Sequence, residues 1–248
     1  MRREIGEKIE RIAMALYDMV LPRFCVACGD RLHLDESVLC LECLADLSLT
    51  HFWQYLHNSM ADRFNDRLRS VIPDGVRVEY ASAAALFFYN SESQYRRIPQ
   101  ALKYKADIGA GRYFAAMLGR CLASSPDFQG VEAVIPVPLH WTRRLRRGYN
   151  QSEVIARELA RELGAELVTR GLRRNRRTRS QTRVSVDEKS RNVSGAFSVR
   201  GALPYRHVLL VDDTFTTGAT LVACSAAVLP AMRPGAKISV ATLAFVSG

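Results

Sequence analysis

Two adjacent carboxylates, Asp212 and Asp213, are followed by a short run of hydroxyl-bearing and small residues. That run contains Thr216, Thr217, Gly218, Ala219 and Thr220. Backbone N–H groups at the start of a helix are unpaired and carry partial positive charge, so a run of this kind suits a phosphate. Gly218 lets the backbone approach the anion closely, and the threonine hydroxyls donate further bonds. Because the carboxylates can accept bonds from a diol, the predicted ligand is a sugar phosphate.

A strand and a helix must hold these groups in place. Residues 208–211 are four consecutive aliphatics, which predict a strand buried on both faces, as found inside a parallel sheet. Residues 221–229 form a good helix sequence. The pattern also fits a plainer alternative, in which a buried strand, an acidic turn and an N-capped helix bind no ligand.

Two arginine clusters account for the net charge of +10. Residues 142–147 hold four arginines and no acid, and residues 170–183 hold seven arginines and no acid. Because guanidinium groups bind phosphate bidentately, the clusters predict a polyanionic ligand, and both pyrophosphate and nucleic acid qualify. A solvated basic face is the alternative, and it is the stronger one for residues 173–179.

Four of the six cysteines form two Cys-x-x-Cys turns separated by eleven residues: Cys25, Cys28, Cys40 and Cys43. Two such turns can supply four thiolates at ~2.3 Å around a tetrahedral ion, which predicts a structural zinc site. A pair of disulfides is the alternative, and it suits a small secreted protein better than this chain. A closed shell of four sulfurs leaves no position for catalysis. Three nearby histidines could replace a cysteine ligand: His33, His51 and His57.

The order of patterns along the chain predicts an α/β protein. Strands and helices alternate after the turn signal at residues 73–75, which favours a mostly parallel sheet flanked by helices. We therefore divide the chain into an N-terminal helix and zinc-finger region, residues 1–74, and an α/β domain, residues 75–248. Apolar residues at helical spacing within residues 5–19 predict an amphipathic helix that packs on its own domain.

The sequence offers no membrane-spanning stretch. No apolar run reaches the ~18–20 residues that a span needs, and charges interrupt the N-terminus where a signal peptide would have its apolar core. We therefore expect a cytoplasmic protein that does not insert into a membrane. The sequence gives no indication of the oligomeric state.

Residues 208–221 resemble the phosphoribosyl-pyrophosphate (PRPP) motif of type I phosphoribosyltransferases. The resemblance implies that Asp212 and Asp213 bind the ribose hydroxyls and the associated metal, and that the threonine-rich run binds the 5′-phosphate. Mg²⁺ is expected with PRPP and would be held mainly by ligand oxygens, because this ion prefers phosphates and waters with few carboxylates.

Further motifs, in the same order along nearly the whole chain, resemble the competence protein F (ComF/GntX-type) family. They are Leu-Pro-Arg-Phe-Cys at 21–25, Ala-Leu-Lys-Tyr at 101–104, Pro-Val-Pro-Leu-His at 136–140, Arg-Leu-Arg-Arg-Gly-Tyr-Asn-Gln at 144–151, the segment at 191–197 that begins Arg-Asn-Val and ends at Phe197, and the PRPP motif. The resemblance implies a type I phosphoribosyltransferase domain at 75–248 behind a zinc finger, and a link to DNA uptake. The chain departs from many relatives in having no further cysteines between the finger and the domain, and in having Ala106 where a glycine is frequent.

A phosphoribosyltransferase displaces pyrophosphate from the anomeric carbon through an oxocarbenium-like transition state, so no protein nucleophile is required. Five basic residues are the predicted pyrophosphate ligands: Arg143, Arg144, Arg146, Arg147 and Lys103. Residues 173–192 are predicted to form a mobile lid that excludes water, and the resemblance supports Gln181 and Arg191 as members of it. The acceptor has no recognisable signature.

Other classes of function stay open at this point. The same fold could serve a non-catalytic competence factor that senses PRPP or handles single-stranded DNA, since arginine clusters suit a single strand. The finger could also dock a protein partner, such as a component of the DNA-uptake apparatus.

Overall fold

The structure is a computed structural model that describes residues 11–13, 15–72, 78–90, 92–104, 107–175 and 196–247. Its strands are β1 (Ala83–Tyr89), β2 (Ala133–Pro136), β3 (Glu166–Leu167), β4 (Leu172–Arg174), β5 (Phe197–Val199), β6 (His207–Phe215) and β7 (Lys237–Val246). Five of them form one parallel sheet in the order β1-β7-β6-β2-β3, and β4 and β5 form a separate antiparallel pair. The predicted parallel sheet is confirmed.

Helices lie between these strands along the chain. They are α1 (Leu41–Ala45), α2 (Ser59–Arg69), α3 (Arg97–Tyr104), α4 (Ile108–Ala123), α5 (Trp141–Arg147), α6 (Gln151–Leu163) and α7 (Ala219–Val228). Residues 11–13 and 15–20 are also helical. The alternation of strands and helices around a parallel sheet makes this an α/β fold, as predicted.

Strand β6 lies in the middle of the sheet, between β7 and β2. Its aliphatic residues from Val208 to Val211 are fully buried, as are most residues of β7. A continuous aliphatic run is stable there because helices cover both faces of a parallel sheet. Helices α4 and α6 approach each other closely, since a Cβ at Gly119 would lie 2.7 Å from Cγ of Glu162.

The N-terminal region is joined to the sheet by hydrogen bonds along β1. The N–H of Thr50 donates to the carbonyl of Leu86 (3.0 Å), and the N–H of Phe88 donates to the carbonyl of Ser48 (2.9 Å). Leu49 forms an antiparallel bridge with Phe87. The boundary predicted at residues 74 and 75 lies outside the described residues, and the division into two domains stays a prediction.

In the described part of the N-terminal helix, the predicted apolar face is exposed and does not pack on the domain. Ile12, Leu16 and Met19 are 54%, 61% and 73% exposed, and the first part of the face, within residues 1–10, lies outside the described residues. The helix is attached through a polar contact instead, since both carboxylate oxygens of the buried Asp18 accept bonds of 2.8 Å from Arg23. The backbone carbonyl of Asp18 also accepts a bond of 2.6 Å from Arg31. Among the described residues, no helix has the length and apolar character needed to cross a membrane.

Candidate functional site

The two predicted acids lie at the carboxyl end of β6 and have different partners. The Ser152 hydroxyl donates to Oδ1 of Asp212 (2.9 Å), and the backbone N–H of Asp213 donates to the same oxygen (2.9 Å). Nζ of Lys103 lies 3.1 Å from Oδ1 of Asp213. Because successive residues of a strand face opposite sides, helices α6 and α3 each supply one partner.

Electrostatics separate the two acids. Burial, followed by the charge of Asp213, raises the pKa of Asp212 to about 7. The bond from Ser152 and the charge of Lys103 act in the opposite direction and favour the ionised form of Asp212. Asp212 is therefore partly protonated near neutral pH, and a cation or a hydroxyl donor bound at the pair would favour its ionised form.

The predicted phosphate loop follows β6 and leads directly into α7. Gly218 has a φ of +75° and is the residue before the helix. A Cβ at this position would lie 2.6 Å from Cζ of Phe215, so both the backbone angle and the ring require glycine. The hydroxyl of Thr217 accepts a bond from the N–H of Ala219 (3.5 Å). Since glycine offers no capping side chain, other N–H groups of the first turn of α7 remain available to an anion.

The remaining members of the loop differ in exposure. Thr216 and Thr217 are exposed, and Thr220 is half-buried. Arg63 of α2 supports this loop from the N-terminal region, and no pattern in the sequence indicates this contact. Its Nη1 donates to the carbonyls of Thr216 and Val246 at 3.3 Å each, and its guanidinium lies 5.2 Å from the ring centre of Phe245.

The first arginine cluster forms helix α5, just beyond the end of β2. The His140 side chain caps this helix by accepting from the N–H of Thr142 (3.4 Å), and Gly148, with a φ of +78°, ends it. Two of its arginines, Arg144 and Arg146, are exposed. Arg143 is half-buried, and so is Arg147, whose Nη1 donates to Oε1 of Gln151 (3.0 Å). The cluster is therefore a helix with a strongly basic surface.

The second arginine cluster contributes a strand to the same neighbourhood. Arg173 and Arg174 were predicted to begin a mobile lid, but they belong to β4, which pairs with β5. The Arg174 guanidinium lies 5.3 Å from the ring centre of Phe197. Burial, followed by the nearby charge of Arg143, lowers the pKa of Arg174, whereas Asp212 raises it.

Arg174 therefore lies close enough to Asp212 and Arg143 to interact with their charges. No pattern in the sequence indicates that these three residues are neighbours. The predicted lid residues Gln181 and Arg191 lie outside the described residues. Ser152 is also a member of the site that was not predicted; the one signal for it in the sequence is that it directly follows the motif at 144–151.

The four cysteines of the two turns form one cluster. Their Sγ atoms all lie within 4.8 Å of one another, and those of Cys28 and Cys40 are 3.8 Å apart. A tetrahedral shell with bonds of ~2.3 Å has edges of about 3.8 Å, so the spacing fits a metal ion held by sulfur. All four are free thiols in the structure. Gly29, with a φ of +90°, follows Cys28 and allows the first turn to close.

The three nearby histidines are not part of this cluster in the described part of the chain. The His51 ring lies 5.2 Å from the ring of Trp53, and Nδ1 of His57 lies 3.4 Å from Oδ1 of Asp62. The cluster can therefore bind a metal through the cysteines alone.

Comparison with known proteins finds similarity over part of the chain. It is 41% identical over 93 residues to "Competence protein F" of Haemophilus influenzae, which covers 36% of this chain and 41% of that protein. "DNA utilization protein YhgH" of Shigella flexneri is 34% identical over 90 residues, and that of Escherichia coli strain K12 is 33% identical over 90 residues; each match covers 36% of this chain and 40% of the relative. No protein-family profile matches the chain. The matched segment spans about two fifths of the length of these curated relatives. Over the matched segment, the chain is therefore similar to competence protein F and to the YhgH proteins.

Proposed function

We propose that the protein binds PRPP and transfers its phosphoribosyl group to an acceptor. One observation carries this proposal: an acid pair, a glycine-capped loop at a helix start, and basic groups from three elements meet at the carboxyl end of the central strand. Ligands of open parallel sheets bind at this end of the strands. A sugar carrying phosphate at both C5 and C1 matches that set of groups.

The loop and the acids would bind the ribose phosphate. The 5′-phosphate would accept bonds from Thr216, Thr217 and the first N–H groups of α7, and the ribose diol would donate to Asp212 and Asp213. Asp213, paired with Lys103 at 3.1 Å, is the better acceptor, while the pKa of about 7 leaves Asp212 partly protonated near neutral pH. Mg²⁺ bound with PRPP would neutralise charge on the pyrophosphate, and the carboxylates offer the hard oxygen ligands that this ion takes.

The basic groups would hold the leaving group. The bond between the anomeric carbon and the pyrophosphate oxygen breaks, its electron pair leaves with pyrophosphate, and the nucleophile of the acceptor forms the new bond to carbon. Lys103 and Arg143 would stabilise the developing negative charge, and the two exposed arginines of α5 would attract the polyanion. No side chain needs to form a covalent intermediate.

We further propose that the cysteine cluster holds one structural Zn²⁺. The distances between sulfur atoms support this, and four thiolates leave no open position for a substrate. The ion would cross-link the turn at residues 25–28 to the start of helix α1 at residues 40–43.

A second candidate function is the handling of single-stranded DNA during DNA uptake in competence, with or without catalysis. The names of the relatives refer to competence and to DNA utilization. Helix α5 supports this candidate, because Trp141 and Leu145, 66% and 77% exposed, lie one turn apart beside the exposed arginines. An exposed aromatic ring next to guanidinium groups suits a stacked base.

Calorimetry with PRPP and Mg²⁺ tests the first proposal. The wild type is expected to bind, the double variant Asp212→Asn, Asp213→Asn is expected to lose binding while keeping its fold, and Asp66→Asn, at an exposed acid of α2, is the matched control. Undiminished binding by the double variant would contradict the site.

A screen of nucleobases and small acceptors for pyrophosphate release tests catalysis. The second candidate is tested by the salt dependence of DNA binding, because the affinity of a DNA-binding protein falls steeply as salt is raised.

A further inference from the structure

Helix α3 connects the cysteine cluster to the acid pair. The turn before it, residues 94–96, lies against the second cysteine turn: the hydroxyl of Tyr95, a buried residue, donates to the carbonyl of Cys43 (3.0 Å) and to Oδ2 of Asp46 (3.1 Å). The side-chain amide of Gln94 donates to Sγ of Cys43 (3.6 Å). The start of the helix is therefore attached to one of the two metal-binding turns.

Arg97, the first residue of α3, attaches the helix to the other turn. Its Nη1 donates to the carbonyls of Ala27 (3.0 Å) and Cys28 (2.7 Å). A Cβ at Gly29 would lie only 3.4 Å from the same nitrogen, so the loop wraps closely around the guanidinium. These carbonyls can accept both bonds only while the turn that carries Cys25 and Cys28 keeps its shape.

The other end of α3 reaches the acid pair. Lys103, in the last turn, pairs with Asp213 at 3.1 Å. The carbonyl of Leu102 accepts a bond from the hydroxyl of Tyr149 and one of 3.4 Å from the side-chain amide of Gln151. Gln151 directly precedes Ser152, the partner of Asp212, so both acids receive partners that depend on the position of this turn.

The helix is short and well packed, which lets it act as a rigid unit. Its eight residues span about 12 Å at 1.5 Å per residue. Ile98 and Leu102 are fully buried, and helix α4 packs next to it. A shift at the start of such a helix is carried to its end, because the close-packed interior leaves little room for bending.

We propose that Tyr95 and Arg97 are positioning residues that hold Lys103 on the acid pair, so that metal in the cysteine cluster strengthens ligand binding some distance away. The link is a chain of contacts: cysteine turns, Tyr95 and Arg97, helix α3, Lys103, Asp213. The part that concerns PRPP rests on the proposed function, whereas the part that concerns the placement of Lys103 does not.

Hydrogen exchange without any ligand tests the placement. Elemental analysis first establishes that the Arg97→Gln variant keeps its metal. In this variant the amides of residues 101–103 are expected to exchange about five- to tenfold faster, because the helix has lost one contact of its network. Tyr95→Phe, which removes only a hydroxyl, should act in the same direction, and Arg97→Lys should restore part of the protection. Gln100→Ala, at an exposed position of the same helix, is the control. Faster exchange confined to residues 25–43 would overturn the proposal.

A double-mutant cycle tests the effect on the ligand. Arg97→Gln should weaken PRPP binding about fivefold in the wild-type background and less than about twofold in Lys103→Met, because the variants remove the same chain of contacts. Removal of metal by a chelator should repeat this pattern. Equal weakening in both backgrounds would overturn the link. If the wild type binds no PRPP, the proposed function fails, and the exchange experiment still decides the placement of Lys103.

Discussion

The two ends of β6 each carry a titratable group with a shifted pKa, and their surroundings differ. At the amino end, burial, followed by the charge of Lys237, lowers the pKa of His207 to about 4, and its Nε2 lies 2.9 Å from the Ser239 hydroxyl. At the carboxyl end, burial, followed by Asp213, raises the pKa of Asp212 to about 7. Burial is the leading cause at both ends.

The difference lies in what surrounds each group. His207 has a neutral hydroxyl partner, and the charges of Lys237 and Glu132 act on its pKa in opposite directions, so its shift reflects an ordinary buried side chain. Asp212 lies beside a second acid, within reach of two basic residues and next to a loop with available N–H groups. A shifted pKa indicates a functional site only where other charges and donors converge on it. The following experiments test that distinction.

The largest expected effect comes from Gly218→Ala at the carboxyl end. The added Cβ would lie 2.6 Å from the Phe215 ring and would strain a φ of +75°, which together cost about 3 kcal/mol. Because the loop can relieve this strain only by leaving the geometry that binds the 5′-phosphate, we expect a loss of up to roughly a hundredfold in PRPP affinity. The matched control is Gly235→Ala, because Gly235 has a φ of +72° and open space around it. Equal effects on binding, measured by calorimetry, would contradict a loop-specific role.

His207 should make the fold, and not the ligand site, sensitive to acid. Its pKa is lower in the folded than in the unfolded chain, so the unfolded state binds the extra proton between about pH 6.5 and 4. Stability is complete above this range and falls by about 3 kcal/mol as the pH drops through it. Urea unfolding at several pH values measures this slope. His207→Gln should flatten it, and an unchanged slope would show that another group causes it.

Two substitutions should move the pKa of Asp212 in opposite directions. Asp213→Asn removes a like charge and should lower it, while Lys103→Met removes an opposite charge and should raise it, each by about one pH unit. Carbon-13 NMR of the carboxyl group provides the measurement, and the imidazole signals of His207 should stay unchanged in both. Shifts of the same sign would contradict the arrangement of charges described for this site.

Ser152→Ala should have the smallest effect. It removes one hydrogen bond of 2.9 Å to Asp212, which is worth about 1 kcal/mol, or roughly fivefold in PRPP affinity. Ser124→Ala, at the exposed end of α4, is the control. An unchanged affinity would mean that the backbone N–H of Asp213 alone is enough to orient the carboxylate.

The sequence predicted the parts of the molecule that depend on neighbours along the chain. Four aliphatics before two acids indicated the central strand, and the two Cys-x-x-Cys turns indicated the cluster. In both patterns, residues close together in the sequence are enough to define the local structure. The α/β class followed from the alternation of elements. These features need no knowledge of which distant segments meet.

Contacts between distant segments could not be predicted in this way. The pairing of Lys103 with Asp213 joins residues more than a hundred positions apart, and Arg63 reaches Thr216 from the other predicted domain. Arg173 and Arg174 were assigned to the lid because they open a long arginine-rich stretch, yet pairing with β5 makes them part of a strand. The N-terminal helix was expected to bury its apolar face, but its described apolar residues are exposed, and its contact with the rest of the chain includes the ion pair of Asp18 with Arg23.

The segment from Ser48 to Thr50 has a consequence for any shortened form of the protein. Strand β1 is the outermost strand of the sheet and is almost entirely apolar, and this segment occupies its outer row of hydrogen-bonding groups. Removing residues 1–74 would expose an apolar edge strand, which is a template for pairing between molecules. We therefore expect the isolated 75–248 fragment to aggregate. The N-terminal region would thus protect the edge of the sheet from pairing with other molecules, in addition to carrying the cysteines.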